Sequence, residues 1–342
     1  RAAAKRPTGS TGTNPSTVPR IDRKTDRLPG LLDRRLLFVT GKGGVGKTTV
    51  ASAIALTAAQ HGLRTLLCET DPKGDVASAF ETGPTTFAHR EIAPDLFAMS
   101  MNTEESLKEY LRLNLRLPLV SKLGPLARAF DFVANAAPGV KELLIVGKLC
   151  WEVREGRFDL VVVDASATGH IVGQLAAPEA INELVKVGLI RTQTTWMLDI
   201  LADRATTGLC IVATPEEMPV VETIDLAGRL GSETKVHLAA VMVNRVLPEL
   251  FGRGEEAVFE ALEKPAVLKA LSQASGGDVG PILAAARLAV TMRRTRAGHM
   301  ERLRAGIHED VPMLYLPFLF SRIHGMRTTR QMAQALAAEL GY

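Results

Sequence analysis

Gly41-Lys42-Gly43-Gly44-Val45-Gly46-Lys47-Thr48-Thr49 is the stretch on which the fold turns. An apolar run, Leu36-Leu37-Phe38-Val39-Thr40, precedes it, and Val50-Ala51-Ser52-Ala53-Ile54-Ala55-Leu56 follows. The pattern reads as a strand, a glycine-rich turn and a helix. In G-x-x-x-x-G-K-[ST], residues without bulky side chains let successive backbone N–H groups converge on phosphate oxygens. The helix N-terminus adds unpaired donors and a positive dipole end. Lys47 is placed to reach the β- and γ-phosphates and Thr48 to ligate Mg²⁺. Lys42 lies one residue into the loop and has no assigned role from the loop alone.

Outward from this loop, short Val/Ile/Leu-rich segments alternate with helical ones. Strands are expected at Arg64–Glu69, Leu96–Met101, Asp159–Val163, Gly208–Ala213, Val236–Val243 and Pro312–Leu316. Continuous apolar strands are those covered on both faces. The fold class is therefore α/β, a doubly wound and mainly parallel sheet with helical insertions. Ligands of such sheets sit beyond the carboxyl ends of strands. That singles out Asp71, Asp164, Glu216 and Asn244. Two regions interrupt the alternation: about 104–156, read as three helices, and about 177–205. Both are rich in apolar residues and read either as ordinary core or as a hydrophobic client groove. A long helix is expected over 281–307, with Leu288, Met292, Met300, Leu303 and Ile307 within ~120° of arc. Another amphipathic helix is expected over Met326–Leu340.

The chain has 342 residues and a net charge of +4, but the charge is unevenly spread. Residues 1–35 hold nine Lys/Arg and three Asp, a balance of +6, leaving 32 Lys/Arg against 34 Asp/Glu elsewhere. Residues 1–33 read as a disordered basic tail and 34–342 as a single domain. A near-neutral body gives no expectation of nucleic-acid binding. No run of 18 apolar residues occurs, so no transmembrane segment is expected, and the polar N-terminal stretch is not expected to be a secretory signal. Cys68, Cys150 and Cys210 are far apart in apolar surroundings and read as buried thiols of a cytoplasmic protein, with peripheral membrane contact allowed.

Asp71, in Asp71-Pro72-Lys73-Gly74-Asp75, reads equally as a turn residue or as a site residue. Asp164 ends an apolar strand in Asp164-Ala165-Ser166-Ala167-Thr168-Gly169-His170 and is the expected second Mg²⁺ anchor. Gly169 gives the following loop freedom to respond to a γ-phosphate. His170 reads as a loop or switch contact.

The double-lysine loop, Thr70-Asp71-Pro72, Asp164 to Thr168-Gly169-His170, and Asn244 after a Val-rich strand together resemble the ArsA-type ATPases. These include arsenical-pump ATPases and the guided-entry ATPases for tail-anchored membrane proteins. The resemblance covers 36 to about 330. It implies ATP hydrolysis by a Mg²⁺-dependent dimer, with a second copy or a paralogue as the other subunit. Gly41 to Thr49 would form the nucleotide loop. Lys42 would reach the nucleotide of the opposite subunit, and Lys47 and Thr48 would make the phosphate and Mg²⁺ contacts in cis. Asp71 would orient the attacking water, with Pro72 and Asp75 in the same switch. Asp164 would act on Mg²⁺ through water, with Thr168, Gly169 and His170 in the second switch. Asn244 would read adenine, and Pro317 and Phe318 would cover it.

The departures are specific. Lys73-Gly74 and Ser166-Ala167 replace the usual residues of the two switches. Residues 190–198 hold no cysteine, and no C-x-x-C is present. Three outputs stay open: binding of a hydrophobic client or membrane-protein partner, driving an anion or arsenite efflux pump, and MinD- or ParA-like positioning.

Overall fold

Residues of the central strands alternate between two apolar layers, so both sheet faces are buried. Leu37, Val39, Leu67, Val162 and Val212 face one layer, whereas Leu36, Phe38, Leu66, Val163 and Ile211 face the other. This is the burial that the continuous apolar runs require. The computed structural model describes residues 30–71, 73–115, 139–249, 255–321 and 325–342.

The strands are β1 (Leu36–Gly41), β2 (Thr65–Glu69), β3 (Arg90–Ala93), β4 (Leu96–Ser100), β5 (Leu160–Asp164), β6 (Thr207–Ala213), β7 (Leu238–Val246) and β8 (Met313–Pro317). They form one sheet in the order β3-β4-β2-β5-β1-β6-β7-β8. Every pairing is parallel except β3 with β4. The sequence reading missed β3. It is a short, polar, exposed edge strand with an irregular register, returning through Asp95 in the left-handed region. Its pattern carries no apolar alternation to detect.

The first layer holds α1 (Lys47–Gln60), α2 (Asp75–Ala79) and α11 (Met326–Leu340). Helix α1 is buried from Val50 to Ala59, between the sheet and α11. Its alanines let both neighbours approach closely while keeping helix propensity high. The second layer holds α4 (Val140–Glu155), α5 (Thr168–Leu184), α6 (Leu189–Ala202) and α7 (Glu217–Glu233), with α3 (Thr103–Leu115) outside α4. The expected 177–205 helix is two helices, α5 and α6, separated near Gly188, whose φ of 95° suits glycine. Of the three helices expected over 104–156, α3 and α4 are described, and 116–138 lies outside the described residues. Beyond β7 come α8 (Glu255–Leu262), α9 (Pro265–Ser275) and α10 (Gly280–Gly306). Only the end of the expected α10 stripe is buried, at Leu303 and Ile307; Leu288 and Met292 are exposed.

Leu31 and Leu32, placed in the tail by the sequence reading, pack in the core, so packed chain begins before residue 34. Residues 1–29 lie outside the described residues. The three cysteines are buried, as expected. No helix among the described residues is long and apolar enough to cross a membrane.

Candidate nucleotide site

The parallel order puts β1, β2, β5 and β6 side by side, so their carboxyl ends converge. Asp164 pairs in register with Val39 on one side and Glu69 on the other. The turn after β1 needs its glycines. Gly41 has φ 154°, and a Cβ there would clash with the backbone carbonyl of Val212. Gly46 has φ 93°, and a Cβ there would lie 2.5 Å from Asn244 Nδ2. Gly44 has φ 86° with open space around it. Gly43, Val45 and the first helical residues, Lys47, Thr48 and Thr49, complete the loop.

Thr48 Oγ1 donates to Asp164 Oδ2 at 2.6 Å. The Asp164 carboxyl is pushed up to about 6, chiefly by burial, with the Thr48 bond and the Lys47 charge opposing. The Lys47 ammonium lies below the usual lysine range because it is buried, with Asp164 opposing and Lys73 adding to the shift. It contacts the Lys42 carbonyl at 3.4 Å. A half-buried cation against a cradle of amides suits a polyanionic phosphate chain. Thr48 and Asp164 also suit Mg²⁺, a hard cation that takes one or two carboxylates together with phosphate oxygens and water. No cluster of three or more His, Cys, Asp or Glu able to hold a metal occurs among the described residues.

The two segments expected to act as switches start from a shared anchor. Thr70 donates to the Asp164 carbonyl from its N–H at 3.1 Å and from Oγ1 at 2.9 Å. Thr40 Oγ1 donates to the Ser166 carbonyl at 2.6 Å. Asp71 is largely exposed and ion-paired with Lys73 at 2.8 Å. Asp75 opens α2, whose Val76 N–H donates to buried Glu69 at 3.2 Å. Pro72 lies outside the described residues. Thr168, Gly169 and His170 form the first turn of α5 rather than the loop that Gly169 suggested. A helix N-terminus following the strand-end loop satisfies its own backbone by the second turn, so a glycine at its second position does not unravel it.

Asn244 sits at the carboxyl end of β7 and is nearly fully buried. Its Nδ2 donates to the Val45 carbonyl at 2.8 Å, and its Oδ1 accepts from the Arg245 N–H at 2.9 Å. It braces the glycine-rich loop. Arg245 has φ 60°, at the irregularity between β7 and β8. Pro317 pairs with Val246, and the Phe318 N–H donates to the Val246 carbonyl at 2.9 Å. Asn244, Pro317 and Phe318 are thus brought to one edge of the site.

The sequence reading missed Glu222. This α7 residue forms an ion pair with Lys42, and its other oxygen accepts from Thr168 Oγ1 at 3.2 Å. Strand-end reasoning pointed instead to Glu216, which caps α7 and lies 3.7 Å from Arg296. Helical periodicity marks which face of α7 is polar, but not that this face meets the loop.

A second feature lies on the helical layer. A cavity of about 340 Å³ opens between α3, α4, α5 and α6. Leu107, Leu143, Trp151, Ile181, Trp196 and Met197 line it. The two apolar insertions therefore meet around one space.

The family model for "Anion-transporting ATPase" matches residues 34–197 and 190–263. The ATPase BagA of Mycobacterium tuberculosis is 31% identical over 233 residues, 65% of this chain and 67% of that protein. A putative arsenical pump-driving ATPase of Halobacterium salinarum is 27% identical over 279 residues, 76% of this chain and 42% of its own. The ATPase get3 of Schizosaccharomyces japonicus is 30% identical over 166 residues, 48% of this chain and 50% of its own. Together with the double-lysine loop against a strand-end aspartate, these matches establish that the chain belongs to the ArsA-type anion-transporting ATPase family and is a nucleotide-binding, ATP-hydrolysing enzyme.

Proposed function

We propose that the packed chain, from Gly30 onward, acts as one Mg²⁺-dependent ATPase domain that works as a dimer and couples ATP hydrolysis to binding and release of a hydrophobic client or membrane-protein partner. The apolar cavity between α3 and α6 is the observation that carries the client assignment. It is walled by the second helical layer, which packs on the sheet face that carries Val161 and Val163 and which includes α5, whose first turn holds Thr168. A segment docked there touches the same helix that follows the second switch, which is a direct mechanical link. The exposed apolar residues Leu184, Val187 and Ile190, at the α5–α6 connection, extend the apolar surface beside the cavity. The buried cysteines offer no exposed thiolate cluster for a metalloid, which favours a client over arsenite.

In this reading the loop amides from Gly41 to Thr49 and Lys47 hold the triphosphate. Thr48 and Asp164 hold Mg²⁺, which when bound offsets charge on the phosphates. Asp71 leaves Lys73 to orient the attacking water. Lys42 of one chain stabilises charge at its neighbour's nucleotide, a contribution of ~10³–10⁵ in rate where comparable fingers act. Pro317 and Phe318 bound the adenine, and Asn244 contributes to that edge by leaving its bonds to Val45 and Arg245 or by holding the loop beneath the nucleotide. The protein works in the cytoplasm, as a homodimer or with a paralogue.

The test pairs two variants. Asp71→Asn is expected to bind ATP, stall hydrolysis and retain a hydrophobic peptide in an ATP-dependent dimer on size exclusion. Lys42→Ala is expected to bind ATP and lose hydrolysis. Parent turnover in Asp71→Asn would reduce Asp71 to a turn residue, and absence of peptide retention would remove the client assignment.

A further inference from the structure

Lys42, the lysine with no role in its own loop, is not free. Glu222 reaches it from α7, and the same carboxylate accepts from Thr168 at the first position of α5. One carboxylate therefore joins the phosphate loop, the second switch and α7. Lys42 and Glu222 side chains are 32% and 29% exposed, so the pair sits at the rim, where a partner can compete for it. Each Glu222 oxygen serves a different partner, so the two contacts share one rigid group and are expected to break together. The two candidate destinations of the ammonium are also exclusive. It cannot sit on Glu222 of its own chain and at a nucleotide in another.

We propose that Glu222 is a positioning residue of the hydrolytic cycle. It holds the Lys42 ammonium at home in the resting chain and ties that lysine to Thr168, so that delivery of Lys42 to a neighbouring nucleotide requires the second switch to move. The consequence for hydrolysis rests on the intersubunit role proposed for Lys42; the resting contact does not. A partly exposed ion pair is weak enough to be exchanged during a cycle and strong enough to bias it.

The test uses Glu222→Gln in the full chain. Glutamine keeps the length and an acceptor for Thr168 but loses the charge. The first readout is the rate at which an amine-acylating reagent modifies Lys42 in nucleotide-free protein, followed by peptide mass spectrometry with Lys73 and Lys108 as internal standards. Lys42 is expected to react about 2- to 5-fold faster in the variant, the range set by a partly exposed pair. An unchanged Lys42 rate would overturn the resting contact. The second readout is turnover and ATP-dependent self-association across protein concentration. Glu222→Gln is expected to associate at lower concentration and to raise turnover by a similar factor. Unchanged or lower turnover would overturn the holding role even where acylation had changed. The effect must vanish in the Lys42→Ala background; an equal effect there would show that Glu222 acts through some other group. Parent-rate hydrolysis by Lys42→Ala alone would remove the intersubunit reading, and the acylation rates would still decide the resting contact.

Discussion

Lys148→Met removes the nearest cation from the most deeply buried carboxylate of the helical layer. Glu152 is fully buried on α4, and Lys148 Nζ lies 2.7 Å from it, one helical turn away. His89 Nε2 lies 3.2 Å away and Arg157 3.6 Å away, while Lys148 also reaches Glu109 of α3 at 2.7 Å. Burial by itself raises the Glu152 pKa, but contacts from His89 and Lys148 and their charges outweigh it and hold the carboxyl down to about 2. Relative to the ordinary glutamate value of 4.5, that is about 3 kcal/mol of stability at pH 7. The sign follows from the depressed pKa: the contribution is present above about pH 4.5 and is lost as pH falls towards 2. Methionine keeps the length of the Lys148 stem but removes the ammonium that lies 4.9 Å from the Phe87 ring centre. Glu109 is partly exposed and can rehydrate, whereas Glu152 cannot. A buried carboxylate left short of its cation costs about 3–5 kcal/mol when nothing else compensates. With His89 and Arg157 retained, about 2–4 kcal/mol is expected at pH 7, shrinking as pH falls. Urea unfolding followed by tryptophan fluorescence measures it, because both tryptophans, Trp151 and Trp196, line the adjacent cavity. Lys148→Met/Glu152→Leu removes both charges and is expected to return to within about 1 kcal/mol of the parent. A loss below about 1 kcal/mol in the single variant, or a double variant no more stable than the single, would refute the buried-charge argument.

Gly46→Ala places a methyl group 2.5 Å from Asn244 Nδ2 at a φ of 93°. A loss of about 2–4 kcal/mol in chemical denaturation is expected, combining left-handed strain with a broken buried hydrogen bond, and Asn244→Ala in the same chain is expected to restore part of it. For Asp164 the sign is opposite to that of Glu152. Its raised pKa gives stability below about pH 3.8 that is lost as pH rises through about 6. In nucleotide-free, chelator-treated protein, Asp164→Asn is therefore expected to raise stability by about 3 kcal/mol at pH 8 and to add nothing at pH 3, read from melting temperatures at the two values. The same variant is expected to bind ATP without responding to added Mg²⁺, checked by titration of a fluorescent nucleotide.

Much of the fold was legible in the chain because its signals are local. Strand β1, the glycine turn and α1 are contiguous, and continuous apolar runs announce strands buried on both faces. Asp164 was readable because a strand end is a position in sequence as well as in space. Strand β3 was not readable, since a short edge strand buries too little to need an apolar pattern. The break between α5 and α6 depends on one glycine, Gly188, within otherwise helical sequence. The start of packed chain was set too late because Leu31 and Leu32 follow a polar stretch with no periodicity.

The candidate site divides along the same line. By sequence alone, Gly41 to Thr49 marked a candidate phosphate loop, since the strand, the glycine turn and the helix are contiguous, and the positive φ at Gly44 and Gly46 and the near approach at Gly41 fit that reading. Only the tertiary structure decided what surrounds that loop. Asn244 stands 199 residues from Val45 and braces its carbonyl. Glu222 stands 180 residues from Lys42 and holds its ammonium. Such pairs form where strand order places the end of β7 one strand beyond β6, the neighbour of β1, and packs α7 on the same sheet, and no spacing within one segment encodes a contact made across the sheet.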